Sequence, residues 1–102
     1  MRTIDLNCDL GEGFGNYIAG PDVSLLKHIS SCSIACGYHA GDPLIIQSTI
    51  KEALKRNISM GAHPSYPDPV NFGRKTIKIT SVELQNSIQN QINTLVEIIK
   101  SN

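Results

Sequence analysis

Residues Ser33 to Pro64 read SIACGYHAGDPLIIQSTIKEALKRNISMGAHP: a short apolar run, a helix start, a helical periodicity and a second short apolar run. Asp42-Pro43 marks the helix start, because the carboxylate can accept a backbone N–H of the first turn and proline suits the first helical position. Ile46, Ile50, Ala53, Leu54 and Asn57 then follow at helical spacing. Ser33 to Cys36 and Ile58 to Ala62 read as the flanking strands. The segment therefore predicts a βαβ unit, with parallel strands and the helix crossing over one face.

Working outward, Thr3 to Leu10 predicts an earlier strand, and Val23 to Ile29 a short helix introduced by Pro21 and Asp22. After the unit comes a loop, Pro64 to Lys75, long enough to suggest function. Thr76 to Ile79 is a candidate minor strand. Thr80-Ser81-Val82-Glu83 is a capping box that opens the longest helix, from Ser81 to Lys100, with Leu84, Ile88, Ile92, Leu95 and Ile99 as its buried stripe. The order βαβαβ, loop, α is that of an α/β fold with a parallel sheet and outer helices.

Strand parity adds a direction. Ile4, Leu6, Cys8 and Leu10 alternate with Asp5, Asn7 and Asp9; Ile34 and Cys36 oppose Ser33, Ala35 and Gly37; Ile58, Met60 and Ala62 oppose Ser59 and Gly61. Parallel sheets normally bury apolar side chains on both faces. A barrel interior accounts for the small and polar face, and places Asp9, His39 and His63 at the carboxyl ends of successive strands, where such barrels keep their chemistry. This reading extends the second strand past Cys36 to reach His39.

One Asp and two His at one mouth can act as general acids and bases or bind a divalent metal, since imidazole with carboxylate suits zinc, manganese or iron. Glu12, close after Asp9, joins Asp9, His39 and His63 as a candidate catalytic residue. Asn7, Asp42 and Arg74 are candidate substrate-binding groups; a salt bridge from Arg74 to Asp68 is the structural alternative. Gly11 to Gly15 (GEGFG) lacks a Walker-type Lys and does not match GxGxxG, so a tight strand-to-helix turn is the preferred reading over a phosphate loop.

Composition narrows the class. With 102 residues, 40 % of them hydrophobic, and zero formal charge, the chain suits one ordinary domain without a nucleic-acid partner, since its Lys and Arg form no basic stripe. No apolar stretch is long enough for a signal peptide or a membrane span, and a cytoplasmic location is expected. Cys8, Cys32 and Cys36 lie in apolar segments outside CxxC spacing and read as reduced, buried thiols.

Three blocks go beyond generic spacing: IDLNCDLGEGFG at Ile4 to Gly15, CGYHAGDP at Cys36 to Pro43 and GAHPSYPD at Gly61 to Asp68, followed by FGRK at Phe72 to Lys75. Together they closely resemble the LamB/YcsF family. Ser65 stands where that family often has Gly, and Lys75 where it often has Arg. The resemblance implies a TIM-like (β/α) barrel related to the carbohydrate deacetylase fold. It further implies ATP-dependent opening of 5-oxoproline to L-glutamate, with subunits B and C of a 5-oxoprolinase as partners and ATP bound either here or by one of those partners. By analogy with YdjC-like enzymes it implies a metal on Asp9, His39 and His63, which keeps a metal-dependent carbohydrate deacetylase as the second reading. Since a full barrel takes about 250 residues, residues 1–102 are expected to form a single incomplete barrel domain. Either the chain is an inactive truncated fragment or it associates as a homo-oligomer, with Thr76 to Ile79 available as a substitute edge strand.

Overall fold

The computed structural model describes residues 1–102 except Tyr17, Ala19 and Pro21; the proline expected to introduce the first helix lies outside the described residues. Strand β1 (Asn7–Leu10) is followed by α1 (Asp22–Leu25) and a 3₁₀ turn (Leu26–His28). Then come β2 (Ser31–Ala35), α2 (Pro43–Lys55), β3 (Ser59–His63) and α3 (Ser81–Lys100). The strands form one parallel sheet in the order β1-β2-β3. The α/β reading with a parallel sheet thus holds.

Register explains where the strands differ from expectation. Asn7 pairs with Ser31 and Leu10 with Ile34, so the residues before Asn7 have no ladder partner and β1 is shorter than Thr3 to Leu10. Strand β2 begins two residues early, at Ser31, and stops at Ala35. Gly37, with φ +87°, turns the chain out of the extended region just beyond. His39 therefore reaches the sheet mouth from a loop and not from an extended strand. Thr76 to Ile79 forms no strand, and no substitute strand lies beside β3 among the described residues.

The expected parity holds along the paired parts of β1 and β2, but Ile4 and Leu6, which precede the ladder, and Ala62 of β3 are exposed, while Ala35, expected on the small face, is buried. Leu10, Cys32 and Ile34 are buried against Ile46, Ile50 and Ala53 of α2 and Leu95 of α3, with Cys8 and Met60 packed at the margin. On the opposite face Asn7 donates to Ser31 Oγ at 2.9 Å and accepts from Ser33 Oγ at 3.1 Å, so polar groups that would be costly under a helix satisfy one another. Burial raises the Cys32 thiol to about 11 and the Cys8 and Cys36 thiols above their ordinary value. Because the thiolate is the nucleophile, iodoacetamide at pH 7.5 is expected to leave Cys32 and Cys36 unmodified in the folded chain and to label both in urea. Mass spectrometry of timed aliquots checks this, and rapid native labelling of Cys32 would contradict its burial.

Helix α2 begins as the sequence predicts. Asp42 accepts from Ile45 N at 2.9 Å, with Pro43 at the first helical position. It ends at Arg56, where Asn57 adopts φ +55° and Ile58 N donates to Ala53 O at 2.9 Å, the helix-terminating arrangement that returns the chain to the sheet. Helix α3 carries the expected capping box, Thr80 with Glu83. Its buried residues are Gln91 and Leu95; Leu95 is thus the one member of the expected stripe that is buried, whereas Leu84, Ile88, Ile92 and Ile99 are only partly covered.

Candidate active site at the carboxyl ends of the strands

Each strand delivers one part of the site. Leaving β1, the chain passes Asp9 and bends at Gly11, where φ is +74° and the Gly11 N–H donates to Asp22 Oδ2 at 3.1 Å. Glu12 then turns over the sheet. Leaving β2, the loop from Cys36 to Asp42 carries His39, and β3 ends on His63 itself.

Glu12, His39 and His63 converge, each offering one donor atom, with those atoms all within 4.8 Å of one another. His39 is 3 % exposed, and its Nε2 lies 2.7 Å from Glu12 Oε2. His63 Nδ1 lies 4.0 Å from the same Glu12 oxygen and 3.6 Å from Asp9 Oδ1. The two imidazole rings are 4.6 Å apart between centroids. Asp9 thus stands beside the cluster, its side chain about half exposed, and Glu12 occupies the place nearest the two histidines.

The other expected site residues are more dispersed. Asn7 belongs to the polar ladder of the sheet face. Asp42 caps α2 and accepts from Gly15 N at 2.7 Å. With Gly11 and Gly15 both donating to carboxylates, two N–H groups of the glycine-rich turn are satisfied within the fold, in keeping with a structural turn. Arg74 makes no ion pair with Asp68 among the described residues; its guanidinium lies over Phe72, 5.5 Å from the ring centroid, while Asp68 Oδ1 accepts from the Asn71 backbone and side chain.

The Asp42 contacts carry a pH consequence. Hydrogen bonds from the Gly15 N–H, then the Ile45 N–H, hold its carboxyl below the ordinary value. A depressed pKa adds stability above the unfolded pKa of about 3.9, and that stability is lost as pH falls through the folded pKa. The urea-midpoint difference between the wild type and Asp42→Asn is therefore expected to be largest at pH 7 and to shrink towards pH 3. A gap that stays constant with pH would show that the charge on Asp42 contributes nothing.

Two hollows flank His39 and Phe72, which border both. One, about 440 Å³, is lined by His63, Tyr66, Arg74, Leu84 and Ile88. The other, about 490 Å³, is lined by Glu12, Phe14, Ala40 and Val70. Phe72 meets His39 edge-on at 4.8 Å and has φ +56°, a conformation that a bulky residue adopts only where its surroundings enforce it. The sequence places Phe72 in the FGRK block without a role of its own, and does not mark Gln91. Gln91 left one trace, a polar residue three positions after Ile88 and four before Leu95.

This arrangement can be set beside known proteins. A family model described as the LamB/YcsF family matches residues 4–102. The A-subunit of 5-oxoprolinase from Bacillus cereus (strain ATCC 10987 / NRS 248) is 45 % identical over 101 residues, 99 % of this chain and 40 % of the relative. The corresponding 5-oxoprolinase A-subunit of Pyrococcus furiosus is 48 % identical over 98 residues, 96 % of this chain and 38 % of that protein. The crystal structure of a lactam utilization protein from Thermus thermophilus superimposes with a TM-score of 0.93 at 34 % identity, over 98 % of this chain and 40 % of that one. The chain thus spans about 40 % of the length of the relatives it matches. With the match running from Ile4 to Asn102 and taking in every residue of the histidine site, the chain belongs to the LamB/YcsF family.

Proposed function

We propose that this chain carries the acid/base site of an ATP-dependent 5-oxoprolinase, acting as its A-subunit. The observation that supports this most is the Glu12–His39 pair, 2.7 Å apart and joined by His63 at the carboxyl ends of parallel strands, in a chain whose relatives are named as 5-oxoprolinase A-subunits. Opening 5-oxoproline breaks the ring C–N bond, adds hydroxyl to the carbonyl carbon and delivers a proton to the ring nitrogen. Glu12 with His39 would accept the proton of the attacking water, and His63, with Asp9 at 3.6 Å, would return one to the nitrogen. Arg74, on the wall of the 440 Å³ hollow, would pair with the substrate carboxylate, for which a guanidinium fork is well shaped.

The donor set also fits a divalent cation. Two imidazoles and a carboxylate converge, and His63 Nδ1 is buried without a hydrogen-bond partner. Glu12, His39 and His63 would hold the ion, with Asp9 adjacent, and it would supply Lewis acidity toward the lactam carbonyl. The same donors favour a second reading, a metal-dependent amide hydrolase of N-acetyl sugars.

The wider reading is a cytoplasmic enzyme. No described helix is long and apolar enough to cross a membrane. Residues 1–102 would form the first part of a TIM-like barrel completed by further strands or a second copy, since β1 and β3 are both sheet edges, and unpaired edges recruit partners. Subunits B and C complete the complex that consumes ATP. Glutamate release from 5-oxoproline, measured with subunits B and C and with ATP present or withheld, tests the proposal. ATP-dependent release supports it, whereas acetate release from chitooligosaccharides with no turnover of 5-oxoproline would establish the second reading.

A further inference from the structure

Gln91 is the most deeply buried polar side chain of the fold described, 0 % exposed in the middle of α3. An uncharged amide at such a position is tolerated only when its donors and acceptor are satisfied, and here they are. Its Oε1 accepts from Ser65 N at 3.0 Å, while its Nε2 donates to Ser65 O at 2.8 Å and to Ser87 Oγ at 3.2 Å. The amide therefore pairs with both polar groups of one residue, as a neighbouring strand would, two positions beyond His63, where β3 has ended. Replacing strand pairing by a side chain fixes the chain direction just beyond His63.

The contact continues from Ser65 to the second histidine. Gly73 has φ +69°, and a Cβ placed on it would lie 3.0 Å from both Ser65 Cβ and His39 Cβ. Ser65, Gly73 and His39 are thus stacked without slack. Anchoring Ser65 fixes the start of the loop that bears Phe72 and Arg74 as well as the exit of His63. The amide thereby sets the geometry where α3 and the site meet.

We propose that Gln91 is a positioning residue of the histidine site, acting through the Ser65 main chain to hold His63 and the Phe72–Arg74 loop in register with His39. The inference rests on the reading of Glu12, His39 and His63 as the functional cluster. It is independent of which amide is cleaved.

The test uses the intact 102-residue chain with three substitutions. Gln91→Met removes every hydrogen bond at similar length. Gln91→Glu keeps an acceptor for Ser65 N and, ionised, loses the donor to Ser65 O. Leu95→Ala, one turn along α3 and 3 % exposed, destabilises the same helix without touching Ser65. Two readouts are made on chains verified as folded by circular dichroism: the imidazole chemical shifts of His39 and His63 at one fixed pH, with the cross-relaxation between their rings and that of Phe72, and the dissociation constant for Co²⁺. Gln91→Met is expected to change the imidazole shifts and weaken the ring-to-ring cross-relaxation, and to weaken Co²⁺ about tenfold, the lower end of the effect of removing residues that orient ligands. Gln91→Glu should fall between it and the wild type, and Leu95→Ala should lower Tm while leaving both readouts unchanged. If the wild type holds no Co²⁺, the cation reading of the site fails and the imidazole spectra alone decide the role of Gln91. Imidazole spectra in Gln91→Met and Gln91→Glu that coincide with the wild type, or that change equally in Leu95→Ala, would overturn the proposal and leave Gln91 a packing residue. Should Gln91→Met not fold, Gln91→Glu carries the same comparison.

Discussion

Replacing Gly41 by alanine is expected to destabilise the fold by about 3 kcal/mol, combining the cost of a left-handed backbone for a residue with a Cβ with that of forcing atoms into a packed space. A Cβ at Gly41 would lie 2.3 Å from the Gly11 carbonyl oxygen and 3.3 Å from two carbons of Ile46, at φ +85°. The oxygen belongs to the backbone where β1 ends, so it cannot swing aside as a side chain would. Gly41 also immediately precedes Asp42, the cap of α2, and any shift there disturbs the helix start and the Gly15 contact together. For a domain of this size the loss corresponds to a fall in Tm of roughly 12–24 °C. Gly15→Ala isolates the backbone contribution: φ is +55° with nothing within 4 Å of the added Cβ, so a fall of only a few degrees is expected. Equal falls for the two variants would show that the approach of Gly41 to Gly11 is not what requires glycine.

That contact shows how the sequence could be read and where it could not. The βαβ order follows from local signals, the Asp42-Pro43 start and the spacing from Ile46 to Ala53, because helix caps and amphipathic faces are written in neighbouring residues. The polar face of the sheet is legible for the same reason, as strand parity needs only alternation. Strand ends are not, because they depend on the partner: β1 begins at Asn7 since Ser31 is its first pairing residue, a fact settled between residues far apart in the chain. Thr76 to Ile79 has strand-like residues but finds no ladder. The Gly11 and Gly41 positions suggest turns, yet only the structure shows that they meet.

The site divides in the same way. His39 and His63 are legible because each follows a strand, and family resemblance strengthens them. Strand parity favours Asp9 over Glu12, because Asp9 lies on the strand, where direction can be counted. The bend at Gly11 reverses that order in space, bringing Glu12 to 2.7 Å from His39 while Asp9 remains at 3.6 Å from His63. Gln91 could not be recognised as a clamp from α3 alone, since its partner is a main-chain segment in a loop 26 residues earlier.

The reordering of Asp9 and Glu12 leads to the largest functional effect expected. On the function proposed above, with 5-oxoproline as substrate and subunits B and C as partners, Glu12→Gln should lower kcat by at least about 100-fold, the lower end of what a positioned general acid or base contributes. The amide keeps the size of the carboxylate and can still hydrogen-bond to His39, so the pocket should remain folded, but it can no longer hold a proton taken from water. Among the described residues Glu12 is also the one carboxylate within 4.0 Å of both histidines, so no neighbour stands ready to replace it. Asp9→Asn alters a more exposed carboxylate, 3.6 Å from His63 alone, and the expected loss is about tenfold, as for a group that orients a catalytic histidine. KM should change little in either variant, because under that proposal the substrate carboxylate pairs with Arg74. Steady-state kinetics with glutamate detection, on variants whose circular dichroism matches the wild type, provide the comparison. A larger loss from Asp9→Asn than from Glu12→Gln would return the principal role to the strand carboxylate and remove Glu12 from proton transfer.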